Sequence, residues 1–290
     1  MDTIFTWGKY HQHLELIHFI TFCALSEAKG MEINMNDIIL RELKAIEERE
    51  NVKILYACES GSRAWGFPSK DSDYDVRFIY IRPLNWYLSI LDKRDVIELP
   101  INDVLDISGW DIRKALKLFK KSNPPMLEWL KSQIVYLEQF TVADKIRELI
   151  PQVYSPQSCL YHYLSMAKGN FREYLQGDLV KAKKYFYVLR PVLACLWIKE
   201  KQVAPPTEFL KLVDAVLPEG ELKNEINRLL VRKMAGDELD LEPRIQIIND
   251  FLNDRIVYLG EYIKTLAKTN PPEETILDEL FREALQEVWG

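Results

Sequence analysis

The chain has 290 residues, of which 48% are apolar and 11% aromatic, and its formal net charge is −6. This composition excludes a disordered chain and a generally basic nucleic-acid coat, and the length suits two joined domains. No stretch approaches the ~18 consecutive apolar residues of a membrane-spanning helix, so no membrane partner is expected.

Residues 1–34 read as an N-terminal extension, loosely attached to the rest of the chain. Its apolar stretch 14–25 has no basic start and sits among His11, His13 and His18, which makes it a poor signal peptide. No carboxylate or cysteine lies at ligand spacing from those histidines, so they do not read as a metal site. Asn36 and Asp37 can cap a helix running to about residue 50, with Ile38, Ile39, Leu43 and Ile46 on one face.

Residues 52–58 form a β-branched and aromatic run and predict a buried strand. A Gly61-Ser62-Arg63 turn and a polar loop come next, and residues 74–81 alternate as a second strand. Residues 84–91 predict a short helix, and 95–99 and 104–108 two further strands. After Gly109 the period becomes helical, with Ile112, Ala115, Leu116 and Phe119 in one stripe. Asn123-Pro124-Pro125 breaks it before a second short helix.

From about residue 155 the chain predicts helices over 161–175, 180–199, 208–216, 222–233, 244–266 and 274–289. The expected domains are therefore 1–34, 35–150 and 151–290. The expected fold class is α+β, a short mixed sheet with helices followed by an all-α domain. Cys23, Cys58, Cys159 and Cys195 lie far apart, with no CxxC pair. They read as reduced, buried thiols of a cytoplasmic protein.

The chemistry concentrates in 58–78. Side chains alternate along a strand, so Asp73 and Asp75 project to one face. Two carboxylates that close repel each other unless a cation sits between them. An all-oxygen pair suits Mg²⁺, which takes one or two carboxylates, keeps waters and uses substrate phosphates for the rest. Gly61 lets the backbone approach a ligand, and Ser62 adds a hydroxyl and an N–H group, which makes an anion site beside the metal site. Two-metal nucleotidyl transfer needs a third carboxylate. Asp106 is the candidate, because it shares a strand face with Val104 and Ser108. Asp103 and Asp111 are rivals, and Asp111 also reads as the first residue of a helix.

Arg63 can pair with triphosphate oxygens, or form an ion pair with Glu59 or Asp73. Lys183, Tyr187 and Arg190 fall at i, i+4 and i+7 of a helix, with Lys184 one residue round. That face can hold a triphosphate or a nucleic-acid backbone, or it can be a solvated basic face. His162, and the tryptophans Trp65, Trp110 and Trp129, read as packing residues before ligand contacts.

The spacing of Gly61-Ser62 to Asp73-Tyr74-Asp75-Val76 resembles the signature of the DNA polymerase β-like nucleotidyltransferase superfamily. The wider matches are more specific. Residues 59–66, 72–78 and 109–114, together with Ser122-Asn123-Pro124, Glu128-Trp129, residues 183–187 and Arg190-Pro191, resemble the predicted RNA-repair-pathway polymerase β-like family. Ser60 departs from the broad pattern, which usually has an apolar residue there.

The resemblance implies a magnesium-dependent nucleotidyltransferase, with two Mg²⁺ ions on Asp73, Asp75 and Asp106 and an NTP phosphate at Gly61 and Ser62. NMP would pass to an acceptor hydroxyl, with an RNA 3′ end one candidate and a protein or small molecule others. A non-catalytic nucleotide-binding module is the rival reading. The acceptor, the base preference and the oligomeric state are not readable from these residues.

Overall fold

The computed structural model describes residues 34–100, 104–237, 239–266 and 273–290. The expectations for residues 1–33, with the three histidines and Cys23, lie outside that range, as does the rival carboxylate Asp103. The chain divides into two compact units, Met1–Glu50 and Asn51–Gly290. In the first, helix α1 (Met35–Glu50) has the stripe expected of it, and Ile38, Ile39, Leu43 and Ile46 are its buried residues.

The second unit is α+β, with a short mixed sheet and a helical C-terminal region. Strand β1 (Lys53–Glu59) leads into one helical turn, α2 (Gly61–Ala64), and then β2 (Tyr74–Ile81). A short turn α3 (Leu84–Tyr87) and β3 (Val96–Glu98) precede β4 (Leu105–Asp111). Helices α4 (Ile112–Lys120) and α5 (Pro124–Leu130) come next, and β5 (Val135–Glu138) completes a sheet of order β3-β4-β2-β1-β5. β2 and β4 are parallel and the other pairs antiparallel.

β1 is covered on both faces, with every residue from Ile54 to Glu59 buried, which is why it reads as a continuous apolar run. β4 alternates instead: Asp106, Ser108 and Trp110 are half-buried on one face, and Leu105, Ile107, Gly109 and Asp111 buried on the other. Strand character persists to Asp111, beyond the expected switch at Gly109. Asp111 then caps α4, accepting the Arg113 N–H at 2.9 Å. Asn123-Pro124-Pro125 starts a helix as well as ending one, because Asn123 accepts the Met126 N–H and the prolines occupy first-turn positions that need no donor.

The helical region contains α6 (Val142–Val153), α7 (Pro156–Tyr174), α8 (Tyr185–Lys201), α9 (Phe209–Val216), α10 (Glu221–Ala235), α11 (Gln246–Lys264) and α12 (Glu274–Trp289). Residues 180–184 do not join the α-helix expected over 180–199. Leu179–Lys181 is strand β6, paired antiparallel with β7 (Leu241–Pro243), and Ala182–Lys184 is a 3₁₀ turn. One apolar core runs from Leu55, Ile79 and Ile81 of the sheet through Leu193 and Leu252 of the helices. Buried polar ties cross it. Arg190 on α8 meets Glu128 on α5 at 2.7 Å, and the Tyr163 hydroxyl meets the same carboxylate at 2.5 Å. Cys58, Cys159 and Cys195 are free and buried, as expected of reduced thiols. No helix of the described residues is long and apolar enough to cross a membrane.

Candidate active site

The site gathers where β1 ends and β2 and β4 begin. In the parallel ladder Asp75 stands directly beside Asp106, and Arg77 beside Ser108. Cα partners in register present their side chains to the same face, so Asp75, Arg77 and Asp106 lie together. Arg77 bridges the two acids. Its Nη2 donates to Asp75 Oδ1 at 3.1 Å and to Asp106 Oδ2 at 2.7 Å. Its Nη1 donates to the carbonyls of Val76 and Asp106, both at 3.1 Å.

Gly61 fits against this cluster for two reasons. Its φ is +57°, a left-handed conformation that glycine adopts without strain. A Cβ placed there would also lie 2.0 Å from Asp75 Oδ2, so only glycine leaves room for the carboxylate. The strand ends are tied as well, with the Ser60 N–H donating to the Asp75 carbonyl at 2.8 Å. Ser62 is half-buried in α2, where the first N–H groups have no intrahelical acceptor.

Asp73 is exposed and precedes β2. Burial first, and then the charges of Asp106 and Asp73, hold the Asp75 carboxyl above its ordinary range against the opposing Arg77. Arg63 does not form the ion pair weighed for it. Its guanidinium lies 3.6 Å over the Tyr74 ring and donates to the carbonyls of Ser72 at 2.8 Å and Asp73 at 3.2 Å. It thereby pins the acidic loop to α2. Asp111 is removed as a rival to Asp106. It is fully buried on the opposite face of β4 and is engaged by the Arg113 N–H and the Tyr87 hydroxyl.

The helical region brings part of the expected basic face. Tyr187 is 46% exposed, its ring meets that of Trp65 edge-on at 6.1 Å, and burial, then the charges of Asp75 and Asp73, raise its hydroxyl pKa. Lys184 lies 4.2 Å from the Tyr174 ring and 4.8 Å from that of Tyr187. Lys183 is exposed on the 3₁₀ turn. Arg190 is placed elsewhere. It is 3% exposed, bound to Glu128 and the Thr207 carbonyl, with its guanidinium 4.9 Å from the Trp65 ring. The single basic face of Lys183, Tyr187 and Arg190 therefore does not form. The two lysines lie on the 3₁₀ turn, and Arg190 faces the core.

Sequence reasoning missed four contributors. Arg77 was legible, since it lies two residues past Asp75 on the same strand face. Glu59 is 1% exposed, accepts the Asp75 N–H at 2.8 Å and takes a hydrogen bond from the Tyr136 hydroxyl. Burial raises its carboxyl above the ordinary range. Tyr136 on β5 and Lys233 on α10 reach the site only through tertiary packing. Lys233 donates to Ser69 Oγ at 2.8 Å, and burial, then Lys183, lower its ammonium pKa. Among the described residues, no three His, Cys, Asp or Glu side chains gather closely enough to hold a metal ion. The expected three-carboxylate cluster instead takes the form of two acids bridged by Arg77, with Asp73 alongside.

The family described as "RNA repair pathway DNA polymerase beta family" matches residues 35–283. The chain belongs to that nucleotidyltransferase-like family. It is 53% identical over 255 residues to the uncharacterized protein YcgL of Bacillus subtilis (strain 168), covering 88% of this chain and 98% of that one. A nucleotidyltransferase-like protein from Exiguobacterium sibiricum 255-15 is 12% identical over 88% of each chain, with a TM-score of 0.30, too loose a likeness to add to the fold described above.

Proposed function

We propose that this protein is a magnesium-dependent nucleotidyltransferase that moves NMP from an NTP to an acceptor hydroxyl and releases pyrophosphate. The carrying observation is the register pairing of Asp75 with Asp106, with Asp75 seated against Gly61. The donor set suits Mg²⁺, because it is all oxygen and the ion needs only one or two protein carboxylates. The raised carboxyl of Asp75 is the mark of a buried acid among like charges, which a cation relieves. Asp73 and Asp75 would hold the ion. When bound, it would offset the negative charge that builds during transfer.

The protein's own groups divide the remaining work. Gly61 and Ser62 bring backbone N–H groups toward the triphosphate. Lys183, Lys184 and Lys233 supply positive charge from the helical region, so the sheet and the helices of residues 51–290 act as two halves of one site. Asp106 orients the acceptor hydroxyl and takes its proton. Tyr187 offers a ring for the base. Arg190 acts at a distance, by holding α8 against α5. The family description favours an RNA 3′ end as acceptor, with protein hydroxyls and small alcohols as the other classes.

The test is transfer of label from each α-labelled NTP, with Mg²⁺, to RNA, protein and small alcohols. Wild-type turnover that survives Asp73→Ala with Asp75→Ala would remove the assignment. A non-catalytic reading draws on the Arg77 bridge, which offsets one of the two charges of Asp75 and Asp106 without a metal. It predicts nucleotide binding with no pyrophosphate release, so the same assay separates the two.

A further inference from the structure

Arg77 is the part of this site that nucleotidyl transfer by a pair of metal ions does not call for. Two neighbouring carboxylates need a cation to relieve their repulsion, and in a centre with two ions Asp75 and Asp106 would draw that charge from a metal. In this protein that charge comes from a guanidinium. Nη2 touches one oxygen of each acid, at 3.1 and 2.7 Å, as a bridging cation would. The geometry points to Arg77 as a standing second cation, so that the centre takes one divalent ion, at Asp73 and Asp75, and not two. This inference rests on the nucleotidyltransferase reading above and gives that centre its metal count.

Two features keep Arg77 in place. Nη1 is fixed by two backbone carbonyls, of Val76 and Asp106, which belong to paired strands and do not move with side-chain exchange. The side chain is 18% exposed, so leaving would take it out of four hydrogen bonds in a half-buried setting.

The charges balance on the same count. Asp73, Asp75 and Asp106 carry three negative charges, which one guanidinium and one divalent ion neutralise. Glu59 does not supply a replacement ligand, because its oxygens are taken by the Asp75 N–H and the Tyr136 hydroxyl. Arg77 is thus a positioning residue. It acts through Asp75 and Asp106, setting where each carboxylate points.

The experiment counts Mn²⁺ on the full-length chain with α,β-methylene-ATP, which binds as a nucleotide and does not transfer. Equilibrium dialysis gives the ions per chain. Electron paramagnetic resonance tells an isolated ion from a pair, since ions about 4 Å apart couple. The wild type is expected to hold one ion with an uncoupled spectrum. Arg77→Gln is expected to admit a second and show coupling, and Arg77→Lys to remain at one. A coupled pair in the wild type, or Arg77→Gln staying at one ion while folded by circular dichroism, overturns the role of Arg77. Should Arg77→Gln fail to fold, the wild-type and Arg77→Lys spectra decide on their own. Mn²⁺ binding that is unchanged in Asp73→Asn with Asp75→Asn overturns the metal centre itself, and is distinguishable from a wild-type pair that these variants abolish.

Discussion

Replacing Gly61 by alanine sets two demands at that position against each other. The backbone there has φ +57°, a conformation that costs an L-residue roughly 1–2 kcal/mol. The new methyl would also lie 2.0 Å from Asp75 Oδ2 and 2.9 Å from its Cγ. The carboxylate must retreat by about 1.4 Å to regain ordinary contact at 3.4 Å. That motion draws Asp75 away from Arg77 Nη2, now at 3.1 Å, and from the acceptor side of the site. A net loss of ~2 kcal/mol would lower the melting midpoint by about 3 °C in a chain of this size. Turnover is expected to suffer more, because a displacement of ~1 Å at a reacting centre can cost about a hundredfold in rate. Circular-dichroism melting and labelled NMP transfer, run on the same preparation, check both. An alanine variant that melts with the wild type and turns over at its rate would show that Asp75 is not held against Gly61.

Arg190→Met should cost ~3–5 kcal/mol in urea denaturation, since it leaves the Glu128 charge without a counter-ion and with only the Tyr163 hydroxyl, and Glu128→Gln in the same chain should restore part of the loss. Gly109→Ala would place a methyl 2.2 Å from the Phe78 ring, so a loss of about 1–3 kcal/mol is expected in thermal melting, with nucleotide binding retained. Glu59 is buried and its carboxyl pKa raised, so its favourable contribution to folding is present below the pKa of the unfolded chain and lost as pH rises through the folded value. Glu59→Gln should therefore resist urea better than wild type at neutral pH and lose that advantage below about pH 4. A difference that stays constant with pH would refute it.

The sheet and its acids were legible where alternation is strong. β1, β2 and β4 announce themselves by apolar run or by period, and the face shared by Asp106 and Ser108 follows from period two alone. The hidden parts depend on partners distant in sequence. β5 is four residues long with an exposed start, so it carries no pattern of its own. β6 was absorbed into a helix because three residues cannot establish a period, and its partner β7 lies about sixty residues on. The spacing of Lys183 and Arg190 marks a shared helix face only if one helix carries both. It does not tell whether that face meets water or Glu128, which is 62 residues earlier. Lys233 reaches Ser69 across 164 residues, beyond any local signal.

The parallel pairing of β2 with β4 has a consequence for how this chain can vary. Asp75 and Asp106 meet through backbone ladder bonds between the strands that bear them, not through the segment that joins those strands. Residues 88–94, which are mostly exposed, can thus lengthen, shorten or change composition while the two acids stay opposite each other. A slip of one residue within the ladder would instead turn Asp106 to the far side of the sheet. Relatives are therefore expected to differ freely in that connection and to keep unchanged the count of residues from Asp106 to the helix cap at Asp111.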